Sequence, residues 1–237
     1  MKVLIKIEKY YGVISNYVFR LLNPFKKIIM NTEAQVHKFN NEQAVSLLKK
    51  HYYNREHQLF KYYLIYINNG SVWADQDFKS SSHFYNPLAM KGLFGQPHSK
   101  KMTIGYYKKA IRAWNKNNIE KSMFYLGACV HILQDLTVPH HVVNRLLDSH
   151  RKYENFVRST FDIVREYKTD KRPIIFNDLN TYIEYNADKA LKLYINSNHL
   201  EEKRLKYYKW TKVNLPLSHR TTAGCFLMFL NDVGFYK

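Results

Sequence analysis

The sequence predicts an all-α fold. From residue 33 onward, apolar side chains recur at helical spacing almost continuously, the breaks between periodic stretches carry Asn, Gly or Pro, and no stretch alternates with the period of two that a half-buried strand requires. A chain of 237 residues with only eight Gly and six Pro, and no linker rich in Gly, Ser or Pro, fits one compact multi-helix domain over residues 33–237.

Residues 1–32 form a basic, apolar N-terminal extension. Lys6, Glu8, Lys9 and Arg20 interrupt every apolar run there, so none approaches the roughly 18–20 residues of a membrane span, and no apolar stretch leads to a small-residue cleavage site. Val13, Tyr17, Val18, Leu21 and Leu22 share one helical face with Lys and Arg at its margins, a pattern suited to lying on a membrane surface or to packing on the domain.

Within the domain, residues 41–67 are expected to form a helix that stops at Asn68, Asn69 and Gly70. A loop with acids, serines and Pro87 follows. Helices are then expected over 103–116 and 119–136, separated by Asn117 and Asn118, with Pro139 interrupting before another near 150–168. Periodic stretches at 179–195, 200–212 and 218–232 complete the domain.

Lys and Arg outnumber Asp and Glu by 37 to 19, a formal net charge of +18 that concentrates anionic lipid or nucleic acid near the surface as readily as it keeps the protein soluble. Cys129 and Cys225, a single pair far apart in the sequence, make no disulfide framework.

The chemistry is concentrated in HILQDLTVPHHVVNRLLDSHRKYE. His131 and Asp135 are four residues apart, as are His150 and Glu154, and that spacing puts each pair on one helix face, one turn apart, where both side chains reach the same ion. Asp135 lies among Val130, Ile132, Leu133 and Leu136, where a bare carboxylate is costly without a compensating cation. Imidazole and carboxylate without thiolate suit zinc and water-activating hydrolysis rather than a closed structural site. His51, His57, His98, His199 and His219 have no acidic or histidine partner at ligand spacing and are read as ordinary core or surface residues.

Taken with SHRKYENFV, ADQDFKSSSHFYNP and the C-terminal RTTAGCFLMF, the segment FYLGACVHILQDLTVPHHVVN resembles the bacterial zinc-dependent phospholipases C, which include the catalytic domain of clostridial alpha-toxin. The resemblance runs in order from about residue 33 to the end of the chain. It implies a helical domain of the phospholipase C and zinc nuclease type holding two or three zinc ions. Carried over residue by residue, it implies that Asp75, His83, His131 and Asp135 hold one zinc and that His141, His150 and Glu154 hold a second. His37 and Asp135 hold part of a third, with Asp135 as the bridge and Asp75 as a candidate general base. It also implies a phospholipid membrane surface as partner, secretion, no obligate protein partner, and a monomer. The separate lipid-binding β-sandwich that alpha-toxin adds is expected to be absent, and strong haemolytic action with it.

Two features depart from the family pattern. Pro24, Phe25, Lys26 and Lys27 stand where the family has the N-terminal Trp of its third zinc site, and Gln76 and Ser80 stand where its choline-binding members have aromatics. The expected activity is therefore hydrolysis of phospholipid to diacylglycerol and a phosphorylated head group. Two alternatives stand beside it: a zinc-dependent single-strand nuclease, which shares this fold and would use the basic charge on nucleic acid, and a non-catalytic membrane-associated protein.

Overall fold

The computed structural model describes residues 34–76, 83–89, 98–143, 150–197 and 199–236. The expected amphipathic helix and the Pro24–Lys27 departure lie outside the described residues, as does Ser80. Among the described residues the elements are α1 (Gln35–Lys50), α2 (Asn54–Tyr62), α3 (Leu64–Asp75), α4 (His98–Trp114), α5 (Ile119–Asp135), α6 (Pro139–Val142), α7 (His150–Arg158), a 3₁₀ turn at Arg165–Tyr167, α8 (Leu179–Asn196) and α9 (Lys203–Asp232). They form an all-helical domain, and none of these helices is long and apolar enough to cross a membrane.

Helix α5 is the axis of the packing. Asn118 caps it by accepting from the Lys121 amide, which satisfies one of the free N–H groups of the first turn. From Leu126 to Asp135 every residue is buried, so the helix is enclosed on all sides, as expected of a helix at the centre of a core. Helices α3 and α4 flank it, and α1 lies against α9.

Local chemistry and tertiary packing disagree at two places. Asn68, Asn69 and Gly70 do not stop a helix, and α3 runs through them to Asp75. The breaks come earlier, at Tyr52 (φ 66°) and at Tyr63, which ends α2 and caps α3. Gly70 is there for contact: a Cβ on it would lie 1.8 Å from the Phe124 carbonyl oxygen on α5. On the facing helix, a Cβ on Gly127 would lie 2.0 Å from the Ile67 carbonyl oxygen. The glycines let the two backbones touch. Asn68 is buried and accepts from Asn41 Nδ2 at 3.0 Å, so it too serves the core rather than a turn.

At the C-terminal end, the two expected stretches 200–212 and 218–232 are one helix, α9, with Pro216 inside it. Residues 211–230 are mostly buried, and tertiary burial offsets the hydrogen bond that proline removes. Gly224 repeats the close-approach device, since a Cβ there would lie 1.7 Å from the Ile174 carbonyl oxygen of the extended segment crossing α9. The expected helix near 150–168 ends at Arg158 and gives way to turns. Cys129 and Cys225, distant in sequence, are buried neighbours with free thiols, and burial with the adjacent Cys225 sulfur holds the Cys129 thiol well above its usual pKa.

Gly127→Ala is expected to destabilise the protein by about 3 kcal/mol, the upper part of the range for overpacking, because the opposing group is backbone and cannot rotate away. Urea-denaturation midpoints of the two proteins check this.

Candidate metal centre

Four chain segments and one short helix meet at the end of α5. His131 and Asp135 occupy its last turn, both buried. A carboxylate there faces the negative end of the helix dipole as well as the loss of its water, so the helix alone gives no reason to place it. The reason is on the neighbouring elements. His37 from α1 brings Nε2 to 3.4 Å from Asp135 Oδ1, while His83 Nδ1 lies 2.7 Å, His131 Nε2 3.3 Å and His141 Nδ1 3.9 Å from Asp135 Oδ2. One carboxylate is ringed by four imidazoles.

Helix α6 starts with Pro139 at a helix-compatible first position, after Thr137 Oγ1 donates to the Gln134 carbonyl and the Val138 amide donates to the Asp135 carbonyl. This sharp return places His141 back over α5. The Tyr85 amide donates to the His141 carbonyl at 3.0 Å and so ties down the loop that carries His83. Phe84 stacks on the His141 ring at 4.7 Å and touches His150 at 5.9 Å, holding both imidazoles in place.

A second cluster follows on α7. His141 Nε2 is 2.7 Å from His150 Nε2, and His150 Nε2 is 3.4 Å from Glu154 Oε1. Two groups of three therefore have donor atoms within 4.8 Å of one another, His37 with His131 and Asp135, and His141 with His150 and Glu154. His83 stands beside the first group through Asp135. Asp75 ends α3, half-buried, and is in neither group; its negative charge nevertheless acts on His37, His131 and Glu154. The neighbouring His140 turns away, its ring edge-on to Trp210 at 5.2 Å and tilted against Tyr153 at 5.6 Å.

The electrostatics follow from burial and from crowding of like groups. Burial opposes protonation of His131, but the carboxylates of Asp135 and Asp75 outweigh it and raise its pKa. Burial, then the neighbouring His131, lowers that of His37; burial lowers His150 and holds His141 well below its usual value. Burial alone would raise Asp135, yet His131 and His141 keep it well below the ordinary carboxylate range. Glu154 is pushed up to about 7 by lost hydration and then by the charges of Asp135 and Asp75.

These residues fit zinc. Two donors on one tetrahedral zinc, with bonds of about 2.0–2.1 Å, are roughly 3.3 Å apart, and the His37–Asp135, His131–Asp135 and His150–Glu154 pairs stand at 3.4, 3.3 and 3.4 Å. His131 Nε2 and His141 Nδ1, both facing Asp135, are buried without a hydrogen-bond partner, a costly state for ring nitrogens that a cation relieves. Nitrogen and carboxylate oxygen donors are the set zinc takes in hydrolytic sites.

Some of the remaining histidines do other work. His51 bonds the Asp170 carbonyl and His57 the Val45 carbonyl, whereas His219 is wholly buried against Phe39. Sequence reasoning passed over Gln134, which lies between the two ligands of α5 and contacts His37 Nδ1 at 2.8 Å. Only its place between His131 and Asp135 hinted at a role. Phe84, stacked on His141 and tilted against His150, was likewise visible only as part of HFYNP.

Residues 36–208 match the family model described as zinc-dependent phospholipase C. A phospholipase C of Clostridium novyi is 30% identical over 206 residues, 69% of this chain and 48% of that protein. A phospholipase C of Bacillus cereus is 34% identical over 88 residues, 35% of this chain and 31% of that protein. The chain thus spans about half the length, or less, of these relatives. Among solved structures, the alpha-toxin of Clostridium absonum superposes with a TM-score of 0.73 at 22% identity over 84% of this chain and 64% of the toxin. The alpha-toxin of Clostridium perfringens gives 0.69 at 20% identity over 85% and 64%. The fold is shared with the part of these toxins that the chain covers.

Asp135→Asn is expected to lower zinc content at the two sites that its carboxylate would bridge, one with His131 and one with His37, because an amide cannot join two cations as an anion. Elemental analysis of the purified variant beside the parent protein checks it, with a loss of at least one zinc per chain expected.

Proposed function

The chain belongs to the zinc-dependent phospholipase C family, and on that premise we propose that it hydrolyses the glycerol-side phosphoester bond of phospholipids, releasing diacylglycerol and a phosphorylated head group. The observation that carries the reading is the pair of three-residue donor groups meeting around one buried carboxylate. Residues 33–237 act as one catalytic unit, preceded by the basic, apolar sequence of residues 1–32. The partner is a phospholipid surface, toward which a net charge of +18 draws the protein.

In this reading Asp75, His83, His131 and Asp135 hold one zinc, and His141, His150 and Glu154 hold another. His37 and Asp135 hold part of a third. Zinc supplies positive charge for the non-bridging oxygens of the phosphodiester and a Lewis acid that brings the pKa of water to about 7. The protein does the rest by position. Asp135, desolvated and surrounded, holds the donor groups at fixed spacing and needs no rearrangement during reaction. Asp75, at the end of a rigid helix and electrically in touch with both clusters, accepts a proton at its carboxylate from the attacking water. Phe84 stacks on the face of His141 and lies tilted beside His150, which fixes the orientation of the His141 ring.

Head-group choice follows from what stands near Asp75. Gln76 follows it directly and lacks the aromatic face that attracts a quaternary ammonium. Phosphatidylethanolamine and anionic lipids should be hydrolysed at rates within about tenfold of phosphatidylcholine, since an exposed cation–π contact is worth only about 0.5–1 kcal/mol. Anionic vesicles should be hydrolysed more slowly at high salt as their attraction is screened.

The protein is expected to bind at least two zinc per chain and to lose lipid hydrolysis on chelation and regain it with zinc. Assays on defined vesicles and single-stranded DNA, side by side, test the reading. Diacylglycerol release with intact DNA supports it. Cleavage of DNA without lipid hydrolysis, or neither activity at full zinc occupancy, overturns it.

A further inference from the structure

Beneath the metal centre lies a buried chain of side-chain hydrogen bonds whose donors and acceptors are determined one after another. It begins at a backbone carbonyl on α5. Ser71 Oγ donates to the Gly127 carbonyl at 3.1 Å, which uses the single hydroxyl proton. Toward Asn41, at 3.1 Å, Ser71 Oγ must then accept, so the Asn41 amide nitrogen faces it and also donates to Asn68 Oδ1 at 3.0 Å. Reversing the Asn41 amide would set its oxygen against the Ser71 oxygen, which has no proton left to give. Asn41 therefore offers its oxygen to Gln134, whose Nε2 donates to it at 2.9 Å and gives its second proton to Thr222 Oγ1 at 3.2 Å. Both protons of the Gln134 amide are used. Its Oε1 is left to face His37 Nδ1 at 2.8 Å, and as an oxygen it can only accept.

We propose that Gln134 is a positioning residue that holds the proton of His37 on Nδ1, leaving the lone pair of Nε2 aimed at the metal beside Asp135. The geometry on the other side of the ring agrees, with Nε2 3.4 Å from Asp135 Oδ1 and the ring packed on His131 at a centroid distance of 3.9 Å. A ligating histidine whose second nitrogen is held by a hydrogen-bonding partner is fixed in both tautomer and orientation, and loss of such a partner typically costs about 10–100-fold in metal affinity. Here the partner is a neutral amide rather than a carboxylate, and its orientation is fixed in turn by α1, α3 and α9, which carry Asn41, Ser71 and Thr222. Among the described residues, His37 is the one member of its donor group that does not come from α5. It needs this second tether most. The metal part of the proposal rests on the zinc reading above; the tautomer part rests on the hydrogen bonds alone.

The test uses the zinc-loaded full-length chain, with Gln134→Met, which keeps the bulk and removes the polar head, and Gln134→Glu, which keeps an oxygen facing His37. Long-range proton–nitrogen correlation spectra report which ring nitrogen carries the proton, with the His37 signals assigned by their loss in His37→Ala. Zinc titration against a competing chelator reports affinity site by site. The parent protein is expected to show the proton on His37 Nδ1. Gln134→Met should lose that single form and bind its weakest zinc about 10–100-fold less tightly, with the His141, His150 and Glu154 cluster unaffected. Gln134→Glu should keep the Nδ1 proton. The proposal is overturned by a proton on His37 Nε2 in the parent protein, by unchanged zinc affinity in Gln134→Met, or by loss of the Nδ1 form in Gln134→Glu. If Gln134→Met fails to fold, the parent and Gln134→Glu spectra still decide. Absence of zinc binding with His37 nevertheless in the Nδ1 form removes the metal reading and leaves the assignment of the tautomer standing.

Discussion

A buried carboxylate at the wrong end of a helix organises this protein. Asp135 is desolvated, faces the dipole of α5 unfavourably, and persists because four imidazoles surround it. Meeting that requirement takes contributions from widely separated parts of the chain. His37 comes from the start of the domain, His83 from a loop, and His141 from the turn after Pro139. Much of the remaining architecture can be understood as what is needed to bring those histidines to one point and keep them there.

The sequence disclosed the chemistry better than it disclosed the helices. Ligand pairs at a spacing of four are legible because a helix converts that spacing into shared position, and the run of apolar residues around Asp135 already announced its burial. The helix boundaries were less legible where tertiary contact overrode local preference. Asn68, Asn69 and Gly70 look like a stop signal because glycine and asparagine weaken isolated helices, yet here Gly70 admits the backbone of α5 and Asn68 bonds Asn41. The interval between the expected stretches 200–212 and 218–232 is helical too, since the enclosure of α9 on most of its surface keeps the helix whole around Pro216. Gln134 was the least legible of all. Its role depends on Asn41, Ser71 and Thr222, residues distant in sequence, and no local pattern can show that both protons of its amide are already committed.

The distribution of charge complements the site. The chain carries a net excess of Lys and Arg, while the donor cluster gathers carboxylates with histidines whose charge burial suppresses at His37, His141 and His150. Arg151 and Arg158 act electrostatically on Glu154, so basic side chains reach the edge of the second donor group, and a net positive charge of +18 favours the approach of anionic groups from a distance.

Fold and site are joined physically at the crossing of α3 and α5. Gly70 and Gly127 allow the two backbones to approach until a Cβ would overlap a carbonyl, and that approach is what puts Ser71 within hydrogen-bonding reach of the Gly127 oxygen. That bond fixes the Ser71 hydroxyl, which orients Asn41, which orients Gln134, which sets His37. A side chain at position 127 would therefore do more than strain the core. By pushing α3 away it would release the first donor of the series, and a disturbance of packing far from any ligand would reach the metal centre as a loss of histidine orientation.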